Sequence, residues 1–287
     1  MKFPFKYLHS YGTIISKSTI RSELMRIFKI ASVVILLLTI TLMILLSILP
    51  EPQGFPILEY HMINDTPDID AKSYDVPPSD FNAQLDYLQQ NGYNTITMQD
   101  FVLARQGKFQ LPDKPIILTF DDGYVDNYEI MMPILRAHKM KAVVYVIANE
   151  LGKPGYLTIE QLREMQGRGI EIGSHTANHR PLVGLNQKEL LHEIGDSKIF
   201  LEWSGINEAG SLSYPNGLYN DDIIKILKER NYHTAVTGDA GLNDVDTNPY
   251  LLQRVNIPKP HFGISEFKFR LLKAEIFAKL GINQHKF

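Results

Sequence analysis

The chain contains no cysteine. A disulfide framework and a thiolate metal site are therefore excluded, and redox chemistry says nothing about the compartment. Charge of one sign is also missing: the formal net charge is −3, with basic residues concentrated near the N-terminus. No basic stripe is left for a nucleic-acid partner, and none is expected. There are no internal repeats and no low-complexity tract. Tryptophan occurs once, at Trp203.

One long apolar run is present. Residues 30–49 carry no charge and are long enough to cross a bilayer as a helix. Lys2, Lys6, Lys17, Arg21, Arg26 and Lys29 precede it against a single acid, Glu23. The positive-inside bias then expects a cytoplasmic tail at 1–29, a single-pass anchor at 30–49 and an extracellular remainder. A cleaved signal peptide is disfavoured by the long basic region and the lack of an Ala-x-Ala site before Pro50-Glu51-Pro52. Residues 50–56 read as a short, stiff linker.

Beyond it, short apolar runs alternate with amphipathic ones. Strands are expected near 57–61, 94–97, 115–120, 142–148, 170–174, 211–214, 233–237 and 251–257. Phe81, Leu85 and Leu88 form one helical face, capped by Ser79 or Asp80 and ended by Gly92. Thr158 to Gln161 has the form of a capping box. A third helix covers 187–202, and Asn220 or Asp221 caps a fourth. The alternation predicts an α/β domain over 57–260, a deformed (β/α) barrel of about seven to eight strands preceded by one transmembrane helix. Residues 261–287 are expected to form an amphipathic helix packed on the domain.

Chemistry enters at Thr119-Phe120-Asp121-Asp122-Gly123, directly after the apolar run 115–118. Adjacent carboxylates at a strand end face opposite ways, so one can hold a metal while the other works as a base. About fifty residues on, His175 and His179 stand four positions apart after another short strand. One Asp and two His, with positions open for water, make a plausible catalytic metal set. His61 ends the first strand and Tyr214-Pro215-Asn216-Gly217 follows the sixth. In a β/α barrel, all four clusters fall at the end where active sites form.

These segments resemble the polysaccharide deacetylase family (NodB-homology, family 4 carbohydrate esterases). The family's first motif, T-F-D-D-G, is complete at 119–123, and its second, H-[ST]-x-x-H, is complete at 175–179. The third survives in part at 211–217. The last, Leu-x-x-His, stands early, as Leu58-Glu59-Tyr60-His61. That order is similar to the circularly permuted branch acting on poly-β-1,6-N-acetylglucosamine.

The resemblance implies that Asp122, His175 and His179 hold a divalent metal, with Zn²⁺ foremost and Co²⁺, Ni²⁺ or Fe²⁺ as alternatives. It implies Asp121 as base, His61 as acid, and Tyr214, Pro215 and Asn216 at the substrate, the Asn216 backbone N–H facing the oxyanion. Two departures stand out. The third-motif Arg is replaced by Ser211 or Ser213, and Arg254 in the last strand is the expected substitute. The fourth motif is unrecognisable, with Asp239 or Asp244 as partial stand-ins. Glu59 is given no role, His138, His192 and His233 are read as structural, and Trp203 as a helix-to-core anchor. The expected function is deacetylation of N-acetylglucosamine polymers at the cell surface, with exopolysaccharide favoured over peptidoglycan. A synthase complex is a further expected partner, and an inactive carbohydrate-binding protein is the reading from another class.

Overall fold

A computed structural model describes residues 17–49, 54–65 and 73–282 of the chain. Most of the expected tail, part of the linker and the last five residues lie outside the described residues.

Two compact units divide near Pro50. The first is one helix, α1 (Lys17–Ile48). Its segment Leu24–Leu45 has mean hydropathy 2.6 with no buried residue. At 1.5 Å per residue, these 22 residues span ~33 Å, enough to cross a membrane. Arg26 and Lys29 fall inside this segment, and its uncharged part begins at Ile30.

In the second unit the strands are β1 (Ile57–Tyr60), β2 (Met62–Ile63), β3 (Asp75–Val76), β4 (Asn94–Thr95), β5 (Pro115–Phe120), β6 (Ala142–Val146), β7 (Ile170–Ser174), β8 (Ser211–Ser213), β9 (Thr234–Val236) and β10 (Val255–Asn256). Around them run α2 (Pro78–Gln90), α3 (Met98–Arg105), α4 (Met132–Ala137), α5 (Ile159–Gly167), α6 (Gln187–Leu190), α7 (Ser197–Trp203), α8 (Asp221–Glu229) and α9 (Ile264–Lys279). The sheet is parallel in the order β10-β1-β5-β6-β7-β8-β9, with β4 beside the start of β5 and β2–β3 a separate pair. It curls until its edges nearly meet: Leu252, three residues before β10, bridges Val236 of β9. The barrel expectation holds in this deformed form.

Strand alternation separates an inward cluster from two outward ones, the second of which joins Leu212, Tyr214 and Ala235 to α8. Outward residues Leu58, Tyr60, Leu118, Phe120, Val144 and Ile172 pack with Phe81, Leu85 and Leu88 of α2, Leu162 of α5 and Phe267 of α9. Inward residues Ile57, Ile117, Val143 and Val236 form a separate floor with Phe55, Met98, Phe101 and Leu252. Truncating a side chain such as Leu85 would cost about 2–5 kcal/mol. Above the floor Tyr145 lies across the interior, and Gly173 of β7 makes room: a Cβ there would stand 2.6 Å from the Tyr145 ring.

Local signals account for most helix boundaries. Thr158 and Gln161 make the expected capping box for α5, and the Asn220 side chain caps α8. Two expectations need correction. α2 starts at Pro78, because proline fits the first helical position, where its missing N–H costs nothing. Trp203 is 88% exposed at the end of α7, on a solvent face shared with Ile199 and Phe200, and anchors nothing.

Candidate active site

The carboxyl ends of β1, β5, β7 and β8 bring the sequence-singled residues together. Asp121 and Asp122 leave β5 on different sides because Asp122 adopts a left-handed backbone (φ 75). The Asp122 Oδ1 lies 3.5 Å from His175 Nε2 and 3.8 Å from His179 Nε2. Donors around a tetrahedral ion at ~2.1 Å are spaced about 3.4 Å apart, so these residues fit a divalent metal. His175 Nδ1 hydrogen-bonds the Ser213 carbonyl at 2.8 Å, which requires it to donate and leaves the Nε2 lone pair free. Burial first, and the neighbouring His175 second, lower the pKa of His179 and favour the neutral ring that a metal needs.

The loop carrying the two histidines is held by strain and by bonds. Thr176 and His179 have φ of 67 and 56, costing of order 1–3 kcal/mol each. The Thr176 hydroxyl accepts the His179 N–H at 3.0 Å, and buried Glu193 accepts both the backbone N–H and the side-chain amide of Asn178. Glu193 sits in a π-helical turn, Leu191–Asp196, between α6 and α7. A second π turn, Asn127–Met131, precedes α4, and its first residue donates to the His61 carbonyl at 3.0 Å. Each π turn thus supports one functional loop.

Asp121 is 2% exposed, with both carboxylate oxygens taken by Arg254: Nη1 to Oδ1 and Nη2 to Oδ2, each 2.9 Å. Ser213 donates a third bond at 2.9 Å. Burial alone would raise this carboxyl, but the guanidinium, helped by His175, overcomes it and holds the pKa well below the usual carboxylate range. Arg254 is fixed in turn by the Thr237 carbonyl and by Glu59, whose Oε1 stands 3.4 Å from Nη2. A nitrogen of His61 lies within 4.8 Å of carboxylate oxygens of Glu59 and Asp121, and its ring packs on Tyr74.

Glu59 was therefore missed by sequence reasoning. The usable signal was its i, i+2 spacing from His61, which places both on the inward face of β1. The same alternation puts Thr119, Ser211 and Ser213 inside, and Ser211 bonds both Tyr145 and Thr234. Tyr214 needs correction. Its side chain is fully buried with Tyr219 and α8, and its hydroxyl donates to the Tyr250 carbonyl, so it has no face for substrate. Pro215 is buried; Asn216 is exposed and left-handed (φ 58) in the loop immediately after Ser213. Asp244 closes a turn with Thr247, while Asp239 receives the Arg254 backbone N–H on its carbonyl. His138, His192 and His233 pair with Asp86, Asp196 and Glu208, and His192 also stands 3.5 Å from the Asn178 amide in the histidine loop.

Residues 108–235 match the family model described as polysaccharide deacetylase. YxkH of Bacillus subtilis, named as a polysaccharide deacetylase, is 35% identical over 207 residues, covering 72% of each chain. The chain belongs to the polysaccharide deacetylase family. The poly-β-1,6-N-acetyl-D-glucosamine N-deacetylase of Staphylococcus aureus is 24% identical over 208 residues, 67% of this chain and 71% of that one. Among solved structures, Streptococcus pyogenes deacetylase PplD in complex with acetate aligns with TM-score 0.69 and 28% identity, over 78% of this chain and 99% of that one. This polysaccharide deacetylase is accordingly a hydrolase, and its family's barrel is the curled sheet described above.

Proposed function

We propose that this polysaccharide deacetylase is a metal-dependent N-deacetylase of N-acetylglucosamine polymers, with poly-β-1,6-linked exopolysaccharide as its substrate. The observation that carries the reading is the joint geometry of the Asp122-His175-His179 triad and the Arg254-held Asp121, beside His61 on the first strand. The early position of His61 and the activity named for the Staphylococcus aureus relative support the β-1,6 polymer. The acetate in the Streptococcus pyogenes structure is the acid that deacetylation releases, which fits the same chemistry.

Asp122, His175 and His179 would hold the ion, and two imidazoles with one carboxylate suit Zn²⁺, with Co²⁺, Ni²⁺ or Fe²⁺ also accommodated. When bound, such an ion supplies Lewis acidity at the acetamide carbonyl and lowers the pKa of water. Asp121, kept ionised and oriented by Arg254, takes the proton of the attacking water. The Asn216 backbone N–H donates to the oxyanion of the tetrahedral intermediate. His61 delivers a proton to the sugar nitrogen as the C–N bond breaks, releasing acetate and a free amine.

The apolar helix α1 supports a place at the membrane. Residues 30–49 would anchor the chain, with the basic residues before them inside and the catalytic domain outside. There it meets exopolysaccharide as it emerges, in reach of a membrane-bound synthase. The inactive-protein reading drew only on the missing third-motif Arg, and a guanidinium on Asp121 from β10's approach removes that support.

The test is amine release from defined β-1,6- and β-1,4-linked N-acetylglucosamine oligomers, with and without chelation, for the wild type and Asp121→Asn. Metal-dependent release from the β-1,6 polymer, lost in the variant, is expected. Release only from β-1,4 chains would move the substrate to peptidoglycan. Ester cleavage without amide cleavage would make the enzyme an O-deacetylase.

A further inference from the structure

Two aromatic residues beside the triad are unused by the mechanism. Tyr124 follows Asp122 by two positions, and Tyr156 lies in the loop between β6 and α5. The loops are zipped together: Tyr124 and Tyr156 form an antiparallel bridge, Val125 N–H donates to the Gly155 carbonyl at 2.9 Å, and Leu157 N–H donates to the Gly123 carbonyl at 3.0 Å. The rings stack with centroids 5.3 Å apart and 24° between planes. Tyr60, Tyr145 and Tyr214 are fully buried, whereas Tyr124 and Tyr156 are only half-buried.

Position and rigidity both point outward from the core toward substrate. Tyr124 lies against the Asp122 carboxylate, and Tyr156 reaches the Tyr124 hydroxyl. The turn beneath is pinned: Gly123 has φ 78, and a Cβ there would stand 2.9 Å from the Val146 side chain. Stacked phenols of this kind cost little entropy to hold in place. Their faces suit the C–H face of a pyranose and their hydroxyls suit its oxygens.

We infer that Tyr124 and Tyr156 form a carbohydrate subsite that takes the sugar ring adjoining the one being deacetylated. The inference rests on the polysaccharide reading above. A polymer whose acetamide reaches Asp122 carries its neighbouring ring past this platform, so the subsite makes the enzyme sense chain length. Tyr124 hydrogen-bonds Asp122 directly; Tyr156, which hydrogen-bonds Tyr124 in turn, is one step removed and is the cleaner probe.

The experiment compares full-length wild type, Tyr156→Ala and Tyr156→Trp on N-acetylglucosamine and its oligomers, from monomer to hexamer. For Tyr156→Ala, KM is expected to rise about 3- to 10-fold for the oligomers, with no rise for the monomer, which has no adjoining ring, and Tyr156→Trp to restore most of the loss. An equal rise at every length, or none, overturns the subsite while leaving the deacetylase reading in place. Binding of the same oligomers to Asp121→Asn, with and without Tyr156→Ala, is read in parallel by saturation-transfer NMR. Failure of wild type to release amine from any oligomer would sink the deacetylase reading. Tyr156-independent oligomer binding in the Asp121→Asn background would still overturn the subsite.

Discussion

Arg254 offers the sharpest perturbation, because one buried guanidinium serves two carboxylates. In Arg254→Met, Asp121 loses two 2.9 Å bonds and Glu59 its 3.4 Å partner, all at sites under about a tenth exposed. Removing one partner of a buried pair costs about 3–5 kcal/mol. At roughly 2–4 °C per kcal/mol for a domain of this size, the Tm should fall by about 6–20 °C. The acid–base consequence has a definite sign. Burial raises the Asp121 carboxyl and Arg254 is the main force lowering it, so without the guanidinium burial prevails. The carboxylate is then lost at higher pH than in wild type, and the acid limb of kcat/KM shifts upward. Loss of the fixed orientation should lower kcat by about 10²-fold. Arg254→Lys restores charge but not the two-pronged geometry and should recover stability more than turnover. Because the penalty is an unpaired charge, Asp121→Asn/Arg254→Met should be about 1–3 kcal/mol more stable than additivity allows. Additive stabilities, together with an unmoved acid limb, would refute the reasoning.

Three further outcomes are expected. Glu59, Asp121 and Asp122 against Arg254 leave the site with a formal charge of −2 when the imidazoles are neutral, matched to a divalent ion; Glu59→Gln should weaken metal binding about 10-fold in a competition titration with a chromophoric chelator, and unchanged affinity would remove Glu59 from the site's charge balance. Gly173→Ala forces a methyl to 2.6 Å from the Tyr145 ring and 2.9 Å from the Ser211 carbonyl, so urea unfolding should show a loss of about 1–3 kcal/mol, whereas a change under ~0.5 kcal/mol would mean the ring moves freely. Glu171, inward on β7 and accepting the Gln99 N–H, is pushed up to about 7 by burial; its stabilising contribution is therefore full below its ordinary value and lost as pH rises toward 7. Glu171 stays partly accessible, so the effect should be about 1–2 kcal/mol, and Glu171→Gln should flatten Tm between pH 4.5 and 7; a wild-type Tm that does not decline there would contradict it.

Much of the fold was legible because the strands obey local rules. Apolar runs such as 115–118 and 142–146 bury both faces, which is the signature of parallel strands covered by helices. The clustering of Asp122, His175 and His179 was legible for a different reason: residues at strand-end loops of one barrel mouth come together whatever their separation in sequence. Arg254 could be nominated because a buried base requires a counter-charge, and the structure sets its guanidinium on Asp121. Tyr214 misled because a residue beside a functional loop need not face it; strand alternation sends Tyr214 outward as surely as it sends Ser213 inward. The two π turns left no trace, since one inserted residue in a helix changes no composition. Trp203 misled through the general tendency of tryptophan to be buried, which an exposed helix end does not enforce.

The division of the barrel interior explains why the site needs so distant a partner as Arg254. A catalytic carboxylate at a strand end must be dry enough to stay oriented, yet a dry carboxylate without a cation would neutralise itself. The apolar floor of Ile57, Ile117 and Val143 cannot supply that cation, nor can the outward faces, which are committed to the helices. Only inward positions one layer below the strand ends are available. Those positions hold Glu59 on β1, Thr119 on β5, Tyr145 on β6 and Ser211 on β8, and none of these is a cation. The segment entering β10 is where the curled sheet nearly closes, so a residue there reaches β5 across the lumen although 133 positions separate it from Asp121. A guanidinium is long enough and flat enough to span that gap while keeping its own Nε bonded to the Thr237 carbonyl. The third-motif position on β8, filled by Ser213, is then free to do something else: its hydroxyl completes the Asp121 shell while its carbonyl fixes His175. Asp121 and His175 are thereby both held by one residue, and displacing β8 would disturb both at once.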